Sequence, residues 1–147
     1  MSDHLVKDLM TSDVITLFEE QTLPIADDIM KYRRIRHLPV VDEQGRLVGL
    51  VTHRDVLKAQ VSYVSFVKNE SGGERGSIDL DIQVKDVMSR DVWTVSPTTP
   101  AHEAGQLLAD HTFSCLPVVE PGRRLVGILT DRDFLKFALE VLERFDQ

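Results

Sequence analysis

An α/β chain of the α+β type, built as two β-α-β-β-α units packed as a pseudo-two-fold pair, is the fold class that this sequence predicts. Three observations carry that expectation. The first is an internal repeat: Val6-Lys7-Asp8-Leu9-Met10 returns as Val84-Lys85-Asp86-Val87-Met88, an offset of 78 residues. At the same offset Leu38-Pro39-Val40-Val41 becomes Leu116-Pro117-Val118-Val119, and Arg46-Leu47-Val48-Gly49 becomes Arg124-Leu125-Val126-Gly127. Residues 6–58 and 84–136 share 21 identities in 53 positions without a gap. The second observation is that both copies present short apolar runs and helical periodicities in one order. The third is composition. With 42% hydrophobic and 28% charged residues in a chain of 147, a core is possible only for small units, which must bury their open faces together.

Each element follows from local chemistry. Val14 to Leu17 and Val92 to Val95 read as short strands. A helix follows with Ile25, Ala26, Ile29 and Met30 on one face, and Ala104, Leu107 and Leu108 in the second copy. Thr22 and Thr99 are expected as its N-caps, with Pro24 and Pro100 in the first turn, where a missing N–H costs little. Leu38 to Val41 and Leu47 to Thr52 are β-rich, turning at Glu43-Gln44-Gly45, and the second copy turns at Pro121-Gly122. A second helix begins near Arg54 and carries Leu57, Val61 and Val64 at helical spacing. The units are expected over residues 1–62 and 83–147. A connecting segment over 63–82 contains Ser71-Gly72-Gly73 and Gly76, where a flexible loop over Asn69 to Ser77 is expected.

Bulk properties exclude several classes. A net charge of −7 disfavours nonspecific association with nucleic acid or an anionic membrane. No apolar run approaches the ~20 residues of a membrane helix. Met1 to Met10 lacks the apolar stretch of a signal peptide, and Cys115 is a lone cysteine, so a reducing cytoplasm is expected. Because the chain starts with Met1 and the repeats nearly fill it, a free-standing protein is expected. One basic stretch stands out: Lys31, Arg33, Arg34 and Arg36, with His37, are uninterrupted by an acid. It is either a solvated helix face running into a loop or an anion site.

The order hydrophobic-x-Thr, then Leu-Pro-Val-Val followed by an acid, then Gly-x-x-Thr-x-x-Asp resembles the CBS domain. The last motif is Gly49-Leu50-Val51-Thr52-His53-Arg54-Asp55 and again Gly127-Ile128-Leu129-Thr130-Asp131-Arg132-Asp133. The resemblance covers nearly the whole chain and, with two motifs in register, is specific for a tandem pair (a Bateman module). It implies intertwined units with two clefts between them, frequent dimerisation, and clefts that in many cases bind adenosine-containing ligands.

The resemblance also assigns roles. Asp55 and Asp133 accept hydrogen bonds from ribose hydroxyls, a carboxylate being a suitable acceptor for a vicinal diol. Thr52 and Thr130 contact ribose or phosphate. Arg36 and His37 sit near the phosphates, where a guanidinium matches phosphate oxygens bidentately. In the second copy these positions are Ser114 and Cys115, so the cleft at Arg36, His37, Thr52 and Asp55 is expected to prefer phosphorylated adenosine. The other is expected empty or occupied by a less charged ligand. Arg54 and Arg132 assist or point to solvent. Ile15, next to the strand Thr16, and Trp93 are placed against the base; Trp93 stacks on a purine, fills the cleft, or packs in a core. The alternative for Thr-x-x-Asp is a helix capping box with no ligand, and the two roles can coexist.

Chemistry by the chain itself is not expected. His53-Arg54-Asp55-Val56-Leu57 is similar to a kinase catalytic loop, but Gln60 stands where the kinase has Asn, and no glycine-rich loop accompanies it. His4, His37, His53, His102 and His111 form no close-spaced metal motif. Cys115 reads as a buried structural thiol. The expected function is that of a regulatory module binding an AMP-, ADP- or ATP-like nucleotide, without an obligatory cofactor, as a homodimer that signals to a separate effector protein. The alternative is a structural or interaction dimer with empty clefts. NADH and S-adenosyl derivatives also remain open as ligands.

Overall fold

The structure, a computed structural model, describes residues 4–60 and 82–146. The loop expected over Asn69 to Ser77, and the helix positions Val61 and Val64, lie outside the described residues. The elements run α1 (Val6–Leu9), α2 (Leu23–Arg33), β1 (His37–Val41), β2 (Leu47–Thr52), α3 (described over 53–60), α4 (Val84–Val87), α5 (Ala101–Asp110), β3 (Cys115–Glu120), β4 (Arg124–Thr130) and α6 (Asp131–Phe145). The α+β class is as the sequence predicts. The chain divides into two compact units, one formed by Ile15–Asp91 and the other by Met1–Val14 with Val92–Gln147.

These units and the sequence repeats have different bounds, because each repeat contributes its leading segment to the other unit. In the Ile15–Asp91 unit the segment of the second repeat docks. Gln83 bridges Thr22, the Val84 N–H donates to the Gln21 carbonyl at 2.8 Å, and Ser89 exchanges two 2.9 Å backbone bonds with Leu50. In the other unit the first repeat's segment docks in the same way: Leu5 bridges Pro100, the Val6 N–H donates to the Thr99 carbonyl at 2.8 Å, and Thr11 exchanges bonds with Ile128. The repeated Asp of this segment closes its short helix, since Asp8 accepts the Leu5 N–H at 2.9 Å and Asp86 the Gln83 N–H at 3.0 Å. Gly49 and Gly127 let it approach. A Cβ at Gly49 would stand 3.0 Å from the Ser89 carbonyl oxygen, and one at Gly127 would stand 3.0 Å from that of Thr11.

Among the described residues each unit has one antiparallel hairpin, β1–β2 or β3–β4, with the register slipping at Val40/Val41 and Val118/Val119. The strands expected over Val14 to Leu17 and Val92 to Val95 contract to single parallel bridges, Leu17 to Val40 and Val95 to Val118. The cause is local. The Phe18 N–H is taken by the Gln21 side chain at 2.7 Å, and the Ser96 N–H by the Thr99 hydroxyl at 3.0 Å, so the chain turns away after one rung. Thr99 is therefore a turn residue rather than an N-cap, and Pro100 occupies the N-cap of α5. Thr22 does precede α2 at the N-cap, but its hydroxyl makes no capping bond.

The cores lie beneath the hairpins. In the Ile15–Asp91 unit Leu17, Leu23, Ala26, Met30, Leu38, Val40, Val51, Val56, Val84 and Met88 form one cluster. In the other, Val6, Val95, Ala104, Leu116, Val118 and Leu129 do so. Two expected core positions are turned outward. Ile25 on α2 and Leu57 on α3 are exposed, and their neighbours Ala26 and Val56 are fully buried instead. The turn at Gly45, with φ of +81°, is held by Asp42, whose carboxylate accepts the Gln44 and Arg46 N–H groups at 3.0 and 2.9 Å and pairs with the Arg46 Nε at 2.7 Å. These bonds, the Arg46 N–H foremost, hold the Asp42 carboxyl below its ordinary value.

Candidate functional site

The open end of the β1–β2 hairpin gathers the residues of the first copy. His37 pairs with Thr52 across the ladder, and the His53 N–H donates to the Arg36 carbonyl at 2.9 Å. The chain passes from β2 into α3 within one residue, so Thr52, Arg54 and Asp55 follow at the same corner. Leu17 runs parallel to β1, which carries Ile15 and Thr16, two residues and one residue before it, toward the His37 end. Both are half-buried, and Ile15 packs against the core.

Thr52 and Asp55 do form a capping pair. Asp55 Oδ2 accepts the Thr52 N–H at 2.8 Å and the Thr52 hydroxyl at 3.1 Å, and the Asp55 N–H returns to the Thr52 hydroxyl at 3.3 Å. Among the described residues all of the bonds that the carboxylate accepts use one oxygen. Among the described residues Asp55 Oδ1 has no partner, and Asp55 is only half-buried. Capping thus uses one oxygen and leaves the other available to a hydrogen-bond donor among the described residues.

The basic stretch is split in the same sense. Lys31 is neutralised by Asp27 at 3.0 Å, one turn away on α2. Arg34 closes α2 in the left-handed region, with φ of 56° and its N–H on the Met30 carbonyl. Arg33, Arg34, Arg36 and Arg54 are all exposed and make no ion pair among the described residues. An anion at this corner would meet the Arg36 and Arg54 guanidinium groups, which no carboxylate of the described residues engages.

The second copy repeats the backbone and changes the chemistry. Cys115 pairs with Thr130, and Asp133 Oδ2 accepts the Thr130 N–H at 2.8 Å and its hydroxyl at 3.4 Å. Here the other oxygen is engaged too, accepting the Thr11 hydroxyl at 3.1 Å, and Asp133 is buried, with 8% exposure. Ser114 and Arg132 are exposed. Cys115 is buried, and that burial, with a smaller contribution from the Asp131 charge, pushes its thiol up to about 12. The thiol is therefore neutral near pH 7 and adds no charge. The native protein is expected to resist iodoacetamide at pH 8 and to react once denatured, read by mass spectrometry. Rapid labelling of the native form would contradict the burial.

Trp93 is 49% exposed, so it is not a core residue. Its indole lies 4.9 Å from the His111 ring and 5.6 Å from the Phe113 ring, and those two rings stack at 5.3 Å. The corresponding residues of the first copy are Ile15, Arg33 and Ile35, so an aromatic wall replaces a basic edge. Sequence reading missed His111, Phe113 and Thr11 as neighbours of site residues. Their mismatch with Arg33, Ile35 and Ser89 across an otherwise regular repeat was the available signal.

Comparison with known proteins agrees with the repeat. The family model of the CBS domain matches residues 6–62 and 84–140. A CBS domain-containing protein of Dictyostelium discoideum is 32% identical over 139 residues, 95% of this chain and 94% of that protein. A homoserine O-acetyltransferase of Methanococcoides burtonii is 35% identical over 128 residues, 87% of this chain and 23% of the enzyme. An inosine-5'-monophosphate dehydrogenase of Methanocaldococcus jannaschii is 34% identical over 129 residues, 88% of this chain and 22% of the enzyme. The chain thus spans under a quarter of the length of either enzyme. Among solved structures, a protein named for acetoin utilization, AcuB from Vibrio cholerae, superposes with a TM-score of 0.85 at 34% identity, covering 100% of both chains. The CBS domain pair of MJ0100, in complex with 5'-methylthioadenosine and S-adenosyl-L-methionine, gives 0.74 at 29% identity over 92% of this chain and 96% of that one. CBSX2 in complex with AMP gives 0.76 at 26% identity over 94% and 98%; the protein is from Arabidopsis thaliana.

Proposed function

We propose that this chain, which belongs to the CBS-domain family and carries two copies of that domain, is a regulatory module whose first copy binds a phosphorylated adenosine. The observation that carries the reading is Asp55 Oδ1, which has no partner among the described residues, set at one corner with Arg36, which makes no ion pair among them, and with His37, Thr52 and Arg54. The carboxylate receives ribose hydroxyls and Arg36 receives phosphate; Ile15, beside Thr16, meets the base. The AMP complex of CBSX2 and the methylthioadenosine and S-adenosylmethionine complexes of the MJ0100 pair support an adenosine compound as the ligand class. The module performs no reaction of its own and passes occupancy to a separate effector protein by a shift in conformational population. A reducing cytoplasm suits its lone, buried thiol. No helix of the described residues is long and apolar enough to cross a membrane.

The test is thermal unfolding with AMP, ADP, ATP, NADH, S-adenosylmethionine and adenosine. A ligand at a hundred times its dissociation constant stabilises by ~2.7 kcal/mol, raising the midpoint by roughly 5–10 °C for a chain of this size. The shift is expected with a phosphorylated adenosine, lost in Asp55→Ala and retained in Asp133→Ala. No shift with any of them in a well-folded sample would overturn the reading.

One observation favours self-association alongside it. Leu135, Leu139, Leu142 and Phe145 form an exposed apolar stripe on α6, with Phe145 82% exposed. A homodimer covers such a stripe, so sedimentation at micromolar concentration is expected to report twice the chain mass, and Leu139→Asp to lower it. A monomer in the unmutated protein would remove the dimer. A dimer with no nucleotide shift would instead favour the interaction protein with empty clefts.

A further inference from the structure

We infer that the Thr11 hydroxyl occupies the carboxylate of Asp133 in place of a ligand's ribose and so closes the second copy to adenosine, leaving Asp55 as the one ribose-binding carboxylate. This rests on the reading of Asp55 as a ribose acceptor.

The two copies provide an internal control. Thr11 and Ser89 are equivalent at the 78-residue offset, and their backbones are held alike: each exchanges two 2.9 Å hydrogen bonds with its partner strand, Thr11 with Ile128 and Ser89 with Leu50. The side chains behave differently. Thr11 Oγ1 donates to Asp133 Oδ1 at 3.1 Å, whereas among the described residues the Ser89 hydroxyl makes no bond to Asp55. Backbone placement is common to both, so the difference lies in the residue itself. A β-branched threonine has fewer open χ1 positions than a serine, and here its hydroxyl is held on Asp133 Oδ1.

The consequence follows from counting acceptors. An ionised carboxylate has about four lone-pair sites. In both copies Oδ2 is committed to the N–H and hydroxyl of the capping threonine, Thr52 or Thr130. Among the described residues Asp55 keeps both sites of Oδ1, enough for a vicinal diol. Asp133 keeps one, on a residue that is only 8% exposed. A ribose at Asp133 must displace the Thr11 hydroxyl. The positions of Arg36 and His37 supply no cation to compensate, because the second copy has Ser114 and the neutral Cys115 there.

Isothermal titration with adenosine, which carries no phosphate, tests this directly. The unmutated chain is expected to bind one adenosine, Thr11→Val two, and Thr11→Val with Asp133→Asn one again. Ser89→Thr is expected to weaken the first site at least tenfold by bringing a confined hydroxyl to Asp55. Two sites in the unmutated chain, or one site in a folded Thr11→Val, would overturn the inference while leaving the nucleotide reading intact. Binding of neither adenosine nor AMP by any variant would overturn both. The contact is also read without ligand: Thr11→Val is expected to lower the thermal midpoint and Ser89→Ala to leave it unchanged, and an unaltered midpoint in Thr11→Val would remove the contact.

Discussion

Gly49→Ala and Gly127→Ala are each expected to destabilise the protein by about 1–3 kcal/mol, the range for forcing a methyl into a filled interior. At Gly49 the new Cβ would meet Met88 Sδ at 2.5 Å and the Ser89 carbonyl oxygen at 3.0 Å. The thioether can swing aside, since methionine is unbranched and adaptable. The carbonyl cannot, because it accepts the Leu50 N–H at 2.9 Å, and moving it opens the bridge that docks the leading segment. Gly127 faces the same arrangement with Met10 Sδ at 2.6 Å and the Thr11 carbonyl at 3.0 Å. Gly45→Ala serves as a contrasting control. Nothing lies within 4 Å of the place its added methyl would take, and its cost comes from a φ of +81° alone, about 1–2 kcal/mol. Urea unfolding at constant slope separates the two causes. Against a Met88→Ala background the penalty at Gly49 should largely remain, because the Ser89 carbonyl stays in place, and that at Gly45 should stay the same. A Gly49→Ala midpoint equal to that of the unmutated chain would mean that the leading segment does not pack on β2.

That docking also marks where sequence reading stops. The hairpins and the longer helices were legible because each is a local matter: the β-rich run Leu38 to Val41, a glycine turn at Gly45, a Thr-x-x-Asp cap after β2. The exchange of leading segments was legible only through the family resemblance, which implies intertwined units, and not from the residues themselves, because Val-Lys-Asp-x-Met is nearly the same in both copies and a segment that fits its own β-hairpin fits the other's equally well. The strands expected at Val14 to Leu17 and Val92 to Val95 failed for a related reason. Their β-prone residues are real, but Gln21 and Thr99 withdraw the next backbone donor after one rung, a competition that propensity does not contain. In the site, the dual character of Thr52/Asp55 was legible as two alternatives. That one oxygen caps while the other has no partner among the described residues needed the fold, because only geometry says which carboxylate oxygen caps the helix. The partners of Trp93 were likewise hidden, since His111 and Phe113 reach it only through the fold.

Arg36→Ala is expected to weaken a phosphorylated adenosine about 10- to 100-fold and to change the affinity for plain adenosine little. Charge-assisted hydrogen bonds contribute roughly 1.5–3 kcal/mol, which is one to two decades in the dissociation constant. The size of the effect depends on what Arg36 does in the unliganded protein. It is exposed and makes no ion pair among the described residues, so binding breaks no existing bridge and the full interaction is gained. Lys31, only five positions away, is expected to matter far less, because Asp27 holds it at 3.0 Å. Arg36→Lys retains the charge but loses the planar fork, so it should fall between wild type and alanine. The phosphate contribution should also shrink as salt rises, whereas adenosine binding should not. Equal losses for AMP and adenosine in Arg36→Ala would remove Arg36 from the phosphate and leave the corner at Asp55 as a nucleoside site without charge recognition.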